Sequence, residues 1–525
     1  MYITKSLFRE FVECPMLARW HAHNKETYQY INDQRYGAMD AISIGKEVED
    51  IAARLRKDKT IINIDKSKIH FADRHNSYHQ LTMQALEQKP DIVYQAWFLS
   101  DGVFCMTDFL VRNEQGTYDI VEVKSKTSIR KKTKKAEIYE DLQADAWLQH
   151  VVVQQVLKEL YSNKISIAYL DKTYQKSWDI APQDIVIIDD VSQDIMQQET
   201  VLQTIKTIKR NIQLDKDQFQ SIYPYAWEYP LLYFGQKPEL WSILTIPRIT
   251  SSKKKLLELY DQWKRMITDL DHDDIELLSW GKADSAFVRF IQLFHAGKTL
   301  DTTAITQQLQ SLTYPLYFYD YETTTTPIPL FEWTSPRQQV VVQYSLHKID
   351  KDGTVTHHEW LLNHKETSNK RIIDKLIADL TQTKTWTYIV WYKWFENTRN
   401  TETWVLYPEH AAAFEHINNN TFDLMDIFKD MLYFDPAFGW SCSIKKVLPV
   451  LTDISYDWLD IGNGWAAADA LQSLAKKDLT PDTVTKIRHD LLRYCRQDTR
   501  AMVAIWQKVC EEIGYDIPEL KGEVG

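Results

Sequence analysis

The stretch PLYFYDYE, residues 315–322, most narrows the folds open to this chain. Apolar and aromatic side chains on both faces read as a strand covered from two sides, yet it ends in Asp320 and Glu322. Successive side chains of a strand point to opposite faces, so residues at i and i+2 project together. Asp320 and Glu322 therefore share a face with Phe318. Acids at the end of a buried strand are costly unless they are paired or bound to a cation. The fold built round this strand has to bring such a partner to it. At 525 residues the chain exceeds the ~250–300 that one core holds, so two or more domains are expected.

Alternation and periodicity place the remaining elements. Residues 5–21 and 43–56 have helical spacing. Three strands follow at 91–99, 102–112 and 117–126, separated by the turns SDG and NEQG. A long amphipathic helix spans 136–160, and a strand spans 164–172. Residues 175–310 read as a mostly helical connector. Strand patterns return at 339–349, 354–363 and 386–392, a helix lies at 369–381, and the last helix runs over 485–514.

Two sets of acids emerge from this layout. In DIVEVK, Glu122 and Lys124 share a face, and Asp108 lies fourteen residues earlier on the preceding strand of the hairpin. A carboxylate pair at close range normally takes up a proton, and a divalent cation removes that need. Magnesium prefers oxygen ligands, and a bound ion of this kind activates water and stabilises charge on a phosphate. Lys124 is placed to position the water or offset phosphate charge. In the second set, Tyr494 and Asp498 are neighbours one turn apart on the last helix. YIVWYKWFENTRN runs from a strand into Glu396 between Glu322 and that helix.

The pattern Asp108…Glu122-Val-Lys124 followed by a helix resembles the RecB-like branch of the PD-(D/E)xK nucleases. The resemblance implies a further ligand at Glu49, four residues after Gly45, and a glutamine in the downstream helix. Gln143, four before Trp147, is its position, with Asp145 as the alternative alignment. Asp320-x-Glu322, a middle acid and Tyr494-x-x-x-Asp498 resemble the DnaQ-like DEDD exonucleases of the tyrosine subtype. That resemblance implies two Mg2+ or Mn2+ ions held by Asp320, Glu322, Glu396 and Asp498, with Tyr494 orienting water. The family usually has Asp where Glu396 stands and often Asn where Lys393 stands, and Asp423 rivals Glu396 for the middle role. The whole chain resembles a bacterial family of unknown function that joins these two nuclease types. The matching blocks are ITKSLFREFVECPMLARW, EVKSKTS, DYETTTTPIPLF, WYKWFENTR, GWSCSIKKVLPVL and LLRYCRQDTRAMV. The implied fold is α/β: a restriction-endonuclease-like domain over 1–220, a helical connector over 221–310 and a ribonuclease-H-like domain over 311–515. The implied activity is metal-dependent hydrolysis of nucleic-acid phosphodiesters, in DNA rather than RNA, with one 3'-5' exonuclease site.

Net charge of −11 argues against a nucleic-acid partner, since phosphate affinity comes from Lys and Arg. The run 124–139 departs from that average. Lys126, Arg130, Lys131, Lys132, Lys134 and Lys135 precede its first acid after Lys124, and they form a candidate phosphate-binding patch or a solvated loop. Trp333 and Trp394 are read as core rings, with base stacking as the alternative. Relatives carry four cysteines for an iron–sulfur cluster. Here Cys14 is present, but aromatic residues fill 222–235, so no cluster is expected and aromatic packing is expected to staple the N-terminal helix. The absence of an apolar run of membrane length and of a secretory leader predicts a cytoplasmic protein with no membrane partner. A nucleic-acid-binding scaffold with degenerate sites is the competing reading.

Overall fold

The computed structural model describes residues 2–522 apart from 37–40, 55–58, 65–73, 135–136, 178–179, 195–197, 224–234, 236–238, 247–252, 283–284, 383–385, 440 and 475–478. The chain divides into two compact units. The first comprises Met1–Lys237 with Pro327–Pro329 and Ser335–Arg337, and the second comprises the remainder. Both mix helices and sheets. No helix among the described residues is long and apolar enough to cross a membrane.

The first unit holds a sheet of seven strands: β1 (Ile3–Thr4), β2 (Ile61–Asn63), β3 (Ile92–Ser100), β4 (Val103–Arg112), β5 (Tyr118–Val123), β6 (Tyr161–Leu170) and β7 (Val186–Asp190). Strands β2 to β7 lie side by side in chain order. The meander β3–β4–β5 is antiparallel. β6 lies parallel to β5, reached through the helix Glu140–Leu157. Ile120 and Leu110 bury against that helix, and Val121 and Phe109 bury on the opposite side with Val48 and Ile51. β4 is longer than β5. Phe109–Arg112 pair with β5, while Val103 and Phe104 pair with β1. β4 thus changes partner around Asp108. There the β3–β4 ladder also omits one pair, opposite Gln95, whose φ of 53° departs from strand geometry. β7 was not anticipated within the connector.

In the second unit the strands are β8 (Thr299–Leu300), β9 (Leu316–Thr324), β10 (Val340–Ile349), β11 (Val355–Leu361), β12 (Thr387–Val390), β13 (Thr421–Asp423) and β14 (Tyr433–Phe434). Five of them form one sheet in the order β11–β10–β9–β12–β13. β9, β10 and β11 are antiparallel, and β12 and β13 run parallel to β9. The β9–β10 register slips between Val341 and Gln343, beside Glu322 and Thr323. Such a bulge bends a strand and re-aims its side chains. On one face of β9 the Tyr317 ring meets Tyr388 at 5.6 Å, and on the other Phe318 meets Trp506 at 5.6 Å. Trp506 lies on the last helix, Pro481–Ile513. Thr480 caps its start by accepting from Thr483 N at 3.3 Å, and Gly514 ends it at φ 69°. A residue with a Cβ is strained in that left-handed conformation. The helices Lys253–Asp261, His272–Ser279, Ala286–Ala296 and Thr302–Leu309, within the region read as connector, group with this unit.

Candidate active sites

In the first unit, the β4–β5 register extended by one pair sets Asp108 opposite Glu122, so both carboxyls occupy one face. Asp108 is 4% exposed and accepts from Val123 N at 2.7 Å. Burial, then the charge of Glu122, raises its pKa to about 8. Burial acts upward on Glu122 too, but Lys124 and Lys5 outweigh it and hold that carboxyl below the usual range. Glu122 Oε1 accepts from Lys5 Nζ at 2.7 Å and Lys124 Nζ at 2.8 Å, and Oε2 accepts from Gln149 Nε2 at 2.6 Å. Lys124 Nζ also donates to Asp145 Oδ2 at 2.8 Å, and Arg9 lies 3.9 Å from that oxygen. Glu49 accepts from the Tyr94 hydroxyl and is among the charges raising Asp108.

Asp108, Glu122 and Lys124 therefore meet, with Glu49 at their margin. Of the helix residues, Asp145 and Gln149 reach the site rather than Gln143. They stand one turn apart and share a helix face, whereas Gln143 is two residues off that face. That i, i+4 spacing was the available signal. Lys5 carried none, because its contact with Glu122 spans 117 residues of chain. Asp145 Oδ1 and Gln149 Oε1 are buried without a hydrogen-bond partner.

In the second unit, Asp320, Glu322 and Cys495 offer atoms that all lie within 4.8 Å of one another. Glu396, on the helix Lys393–Leu406 and 2% exposed, is hydrogen-bonded to Asp320 and leaves Oε2 without a partner. Asp498 accepts from the Tyr456 hydroxyl at 2.6 Å and is hydrogen-bonded to Tyr494. Lys445 Nζ donates to the Tyr494 hydroxyl at 2.8 Å. Burial, followed by Asp498, pushes Asp320 up to about 7, and burial pushes Asp498 to about 6. Glu322 and Glu396 are raised well above the carboxylate range by burial and then by Asp320. Every acid of this group thus resists ionisation without a compensating cation.

Asp423 lies apart in role. Its carboxylate accepts from Tyr392 N at 3.0 Å, Lys393 N at 2.8 Å and Met425 N at 3.1 Å. It caps the helix that presents Glu396 one turn further on. Lys393 Nζ donates to the carbonyl of Thr421 at 2.7 Å. Lys445 and Tyr456 were not foreseen, since neither belongs to a spacing pattern with the acids.

The basic tract is paired internally. Lys126 meets Asp141 at 2.8 Å, Arg130 meets Asp194 at 3.3 Å, Lys134 meets Glu137 at 3.1 Å, and Lys131 bridges Glu137 and Glu140. Lys132 is exposed with no ion pair among the described residues, and Lys135 lies outside them. Exposed pairs contribute roughly 0–1 kcal/mol, so these cations exchange partners readily. The core reading of Trp333 and Trp394 is corrected: they are 58% and 65% exposed. Trp394 stands in the first turn of its helix, with its ring centroid 6.0 Å from that of Tyr392. Of the aromatic stretch 222–235, Tyr223 packs edge-on against Phe11 at 5.4 Å, and 224–234 lie outside the described residues.

Residues 317–443, the segment holding Asp320, Glu322, Glu396 and Asp423, match a family described as a domain of unknown function, DUF2779. The chain is 28% identical over 208 residues to uncharacterized protein MG366 of Mycoplasma genitalium, covering 36% of this chain and 31% of that one. It is 28% identical over 210 residues to the homologue in Mycoplasma pneumoniae, with 36% and 31% covered. It is 27% identical over 214 residues to uncharacterized protein UU173 of Ureaplasma parvum, with 36% and 30% covered. The match thus spans about a third of the length of these curated relatives. No solved structure matches the chain.

Proposed function

We propose that this protein is a divalent-metal-dependent nuclease with two sites that hydrolyses nucleic-acid phosphodiesters, in DNA rather than RNA, and that the second site is a 3'-5' exonuclease of the DnaQ-like kind. The observation that carries this reading is the meeting of Asp320, Glu322, Glu396 and Asp498, from three distant segments, with Tyr494 alongside. The sheet order, with its first three strands antiparallel and the next two parallel to the central one, supports a ribonuclease-H-like unit. The meander, crossover helix and parallel strand of the first unit support a restriction-endonuclease-like one.

The residues of the second site fit a cation. Four carboxyls held against ionisation and an orphan oxygen on Glu396 form an oxygen-rich donor set. A divalent ion bound there supplies acidified water and neutralises charge on the scissile phosphate. Tyr494 holds its hydroxyl toward Asp498, where it orients water, and Lys445 fixes that hydroxyl in place. In the first unit Lys124 bridges Glu122 and Asp145, and it meets a phosphate once those acids take another partner.

A second reading applies to the first unit alone. Two ammonium groups already share Glu122 Oε1, which favours an inert ion cluster in a domain that binds without cleaving. End-labelled single and double strands of DNA and RNA, incubated with Mg2+ or Mn2+, separate the readings. Asp320→Ala is expected to abolish stepwise removal of 3' nucleotides, and Glu122→Ala a separable cleavage. Full activity in a folded Asp320→Ala protein would refute the exonuclease. An unchanged second cleavage in Glu122→Ala leaves the first unit as a binder.

A further inference from the structure

Cys495 brings to the second site a sulfur atom that an all-oxygen centre does not use. It follows Tyr494 and precedes Asp498 by three residues on the last helix, and it is fully buried. Its sulfur lies 3.9 Å from the backbone carbonyl of Asp320 and within 4.8 Å of one carboxylate oxygen each of Asp320 and Glu322. Metal–oxygen and metal–sulfur bonds of ~2.0–2.3 Å set the ligands of a tetrahedral ion ~3.3–3.5 Å apart, a spacing inside that bound. Glu396 adds an independent sign of an absent partner: it bonds to Asp320 while Oε2 stays buried and unsatisfied.

We propose that Cys495 is a sulfur ligand of this centre, so that the site selects a divalent transition ion over magnesium. The inference rests on the reading of this site as a metal centre and deepens it by naming the class of ion. Carboxylates alone suit magnesium, calcium and manganese, whereas a thiolate adds affinity for cobalt, zinc and other borderline ions. Coordination releases the thiol proton to solvent as the sulfur–metal bond forms, in addition to the protons the carboxyls give up. The protein side of the centre then carries one more negative charge than four carboxylates provide.

The test is a cobalt titration of the full chain, stripped of metal and kept reduced. A thiolate-to-cobalt charge-transfer band is expected to grow to one equivalent. Cys495→Ser is expected to lose the band and bind Co2+ at least tenfold more weakly by calorimetry, with Mg2+ affinity unchanged. Since the thiol is buried, a cadmium NMR signal from the unaltered protein provides a readout that needs no variant, and it should fall in the sulfur-ligated range. Cobalt binding without the band, persistence of the band in Cys495→Ser, or an all-oxygen cadmium signal overturns the sulfur ligand while leaving the metal centre. No binding of Co2+, Mn2+ or Mg2+ that Glu322→Gln removes overturns both.

Discussion

Removing one charge from the second site is expected to stabilise the metal-free protein, against the usual direction of substitutions in a core. Burial and Asp498 raise the Asp320 pKa from 3.8 to about 7. The folded state therefore keeps that proton up to about pH 7, while the unfolded chain releases it near pH 4. Stability contributed by the neutral form is whole below pH 4 and is lost as pH rises through 7. Each pKa unit is worth about 1.4 kcal/mol, so by pH 8 ionisation at this one residue costs up to about 4 kcal/mol. Asp320 is partly accessible, and its hydrogen bond with Glu396 offsets some of the gain, so Asp320→Asn is expected to recover roughly 2–4 kcal/mol. In a unit of this size that is a rise of roughly 3–7 °C in Tm. The assay is thermal unfolding in EDTA at pH 8 and at pH 4, repeated with Mn2+. The gap should be present at pH 8, shrink at pH 4, and reverse with Mn2+, because an ion at about a thousandfold its Kd stabilises only the unaltered site, by about 4.1 kcal/mol. A variant that melts at or below the parent in EDTA at pH 8 would refute the argument that these acids repel ionisation.

Three further outcomes can be checked. His347, beside Thr499 at 2.9 Å, is pushed down to about 3 by burial and then by His357 and Arg496, so its neutral form stabilises the fold fully above pH 6.5 and progressively less toward pH 3. The loss reaches ~4–5 kcal/mol, and His347→Phe should flatten that acid limb in urea titrations. If Lys132 touches the phosphate backbone, Lys132→Glu should lower the slope of log affinity against log salt by about one, whereas an unchanged slope marks a solvated loop. Trp394→Ala should leave Tm within about 1 °C, because the ring is exposed, and weaken binding of a single-stranded oligonucleotide by ~1–3 kcal/mol, with equal affinity arguing that the ring stacks on nothing.

Most of what local rules govern was legible. Strand alternation put Asp320 with Glu322 and Glu122 with Lys124, and helical spacing put Tyr494 with Asp498. The elements carrying them fall within a few residues of their expected bounds, whereas short strands such as β2, β7 and β13 left no pattern in the sequence. What escaped was non-local or set by a single turn of phase. Lys5 and Lys445 reach their acids from remote segments, so no spacing announces them. Gln143 matches the family pattern through its spacing to Trp147, whereas helix phase from Asp145 favours Gln149, which donates to Glu122. Large rings usually pack in a core, and only tertiary packing reveals that Trp333 and Trp394 are left out of it.

The three amide bonds that Asp423 accepts bear on how an alanine scan of this segment would look. Truncating Asp423 frees the first turn of the helix that displays Glu396, so the activity proposed for this site would fall even though no proposed ligand had been touched. A loss-of-function screen alone would then score this residue as part of the chemistry. Asn at this position keeps the cap while discarding the charge, and its behaviour tells a scaffold from a participant.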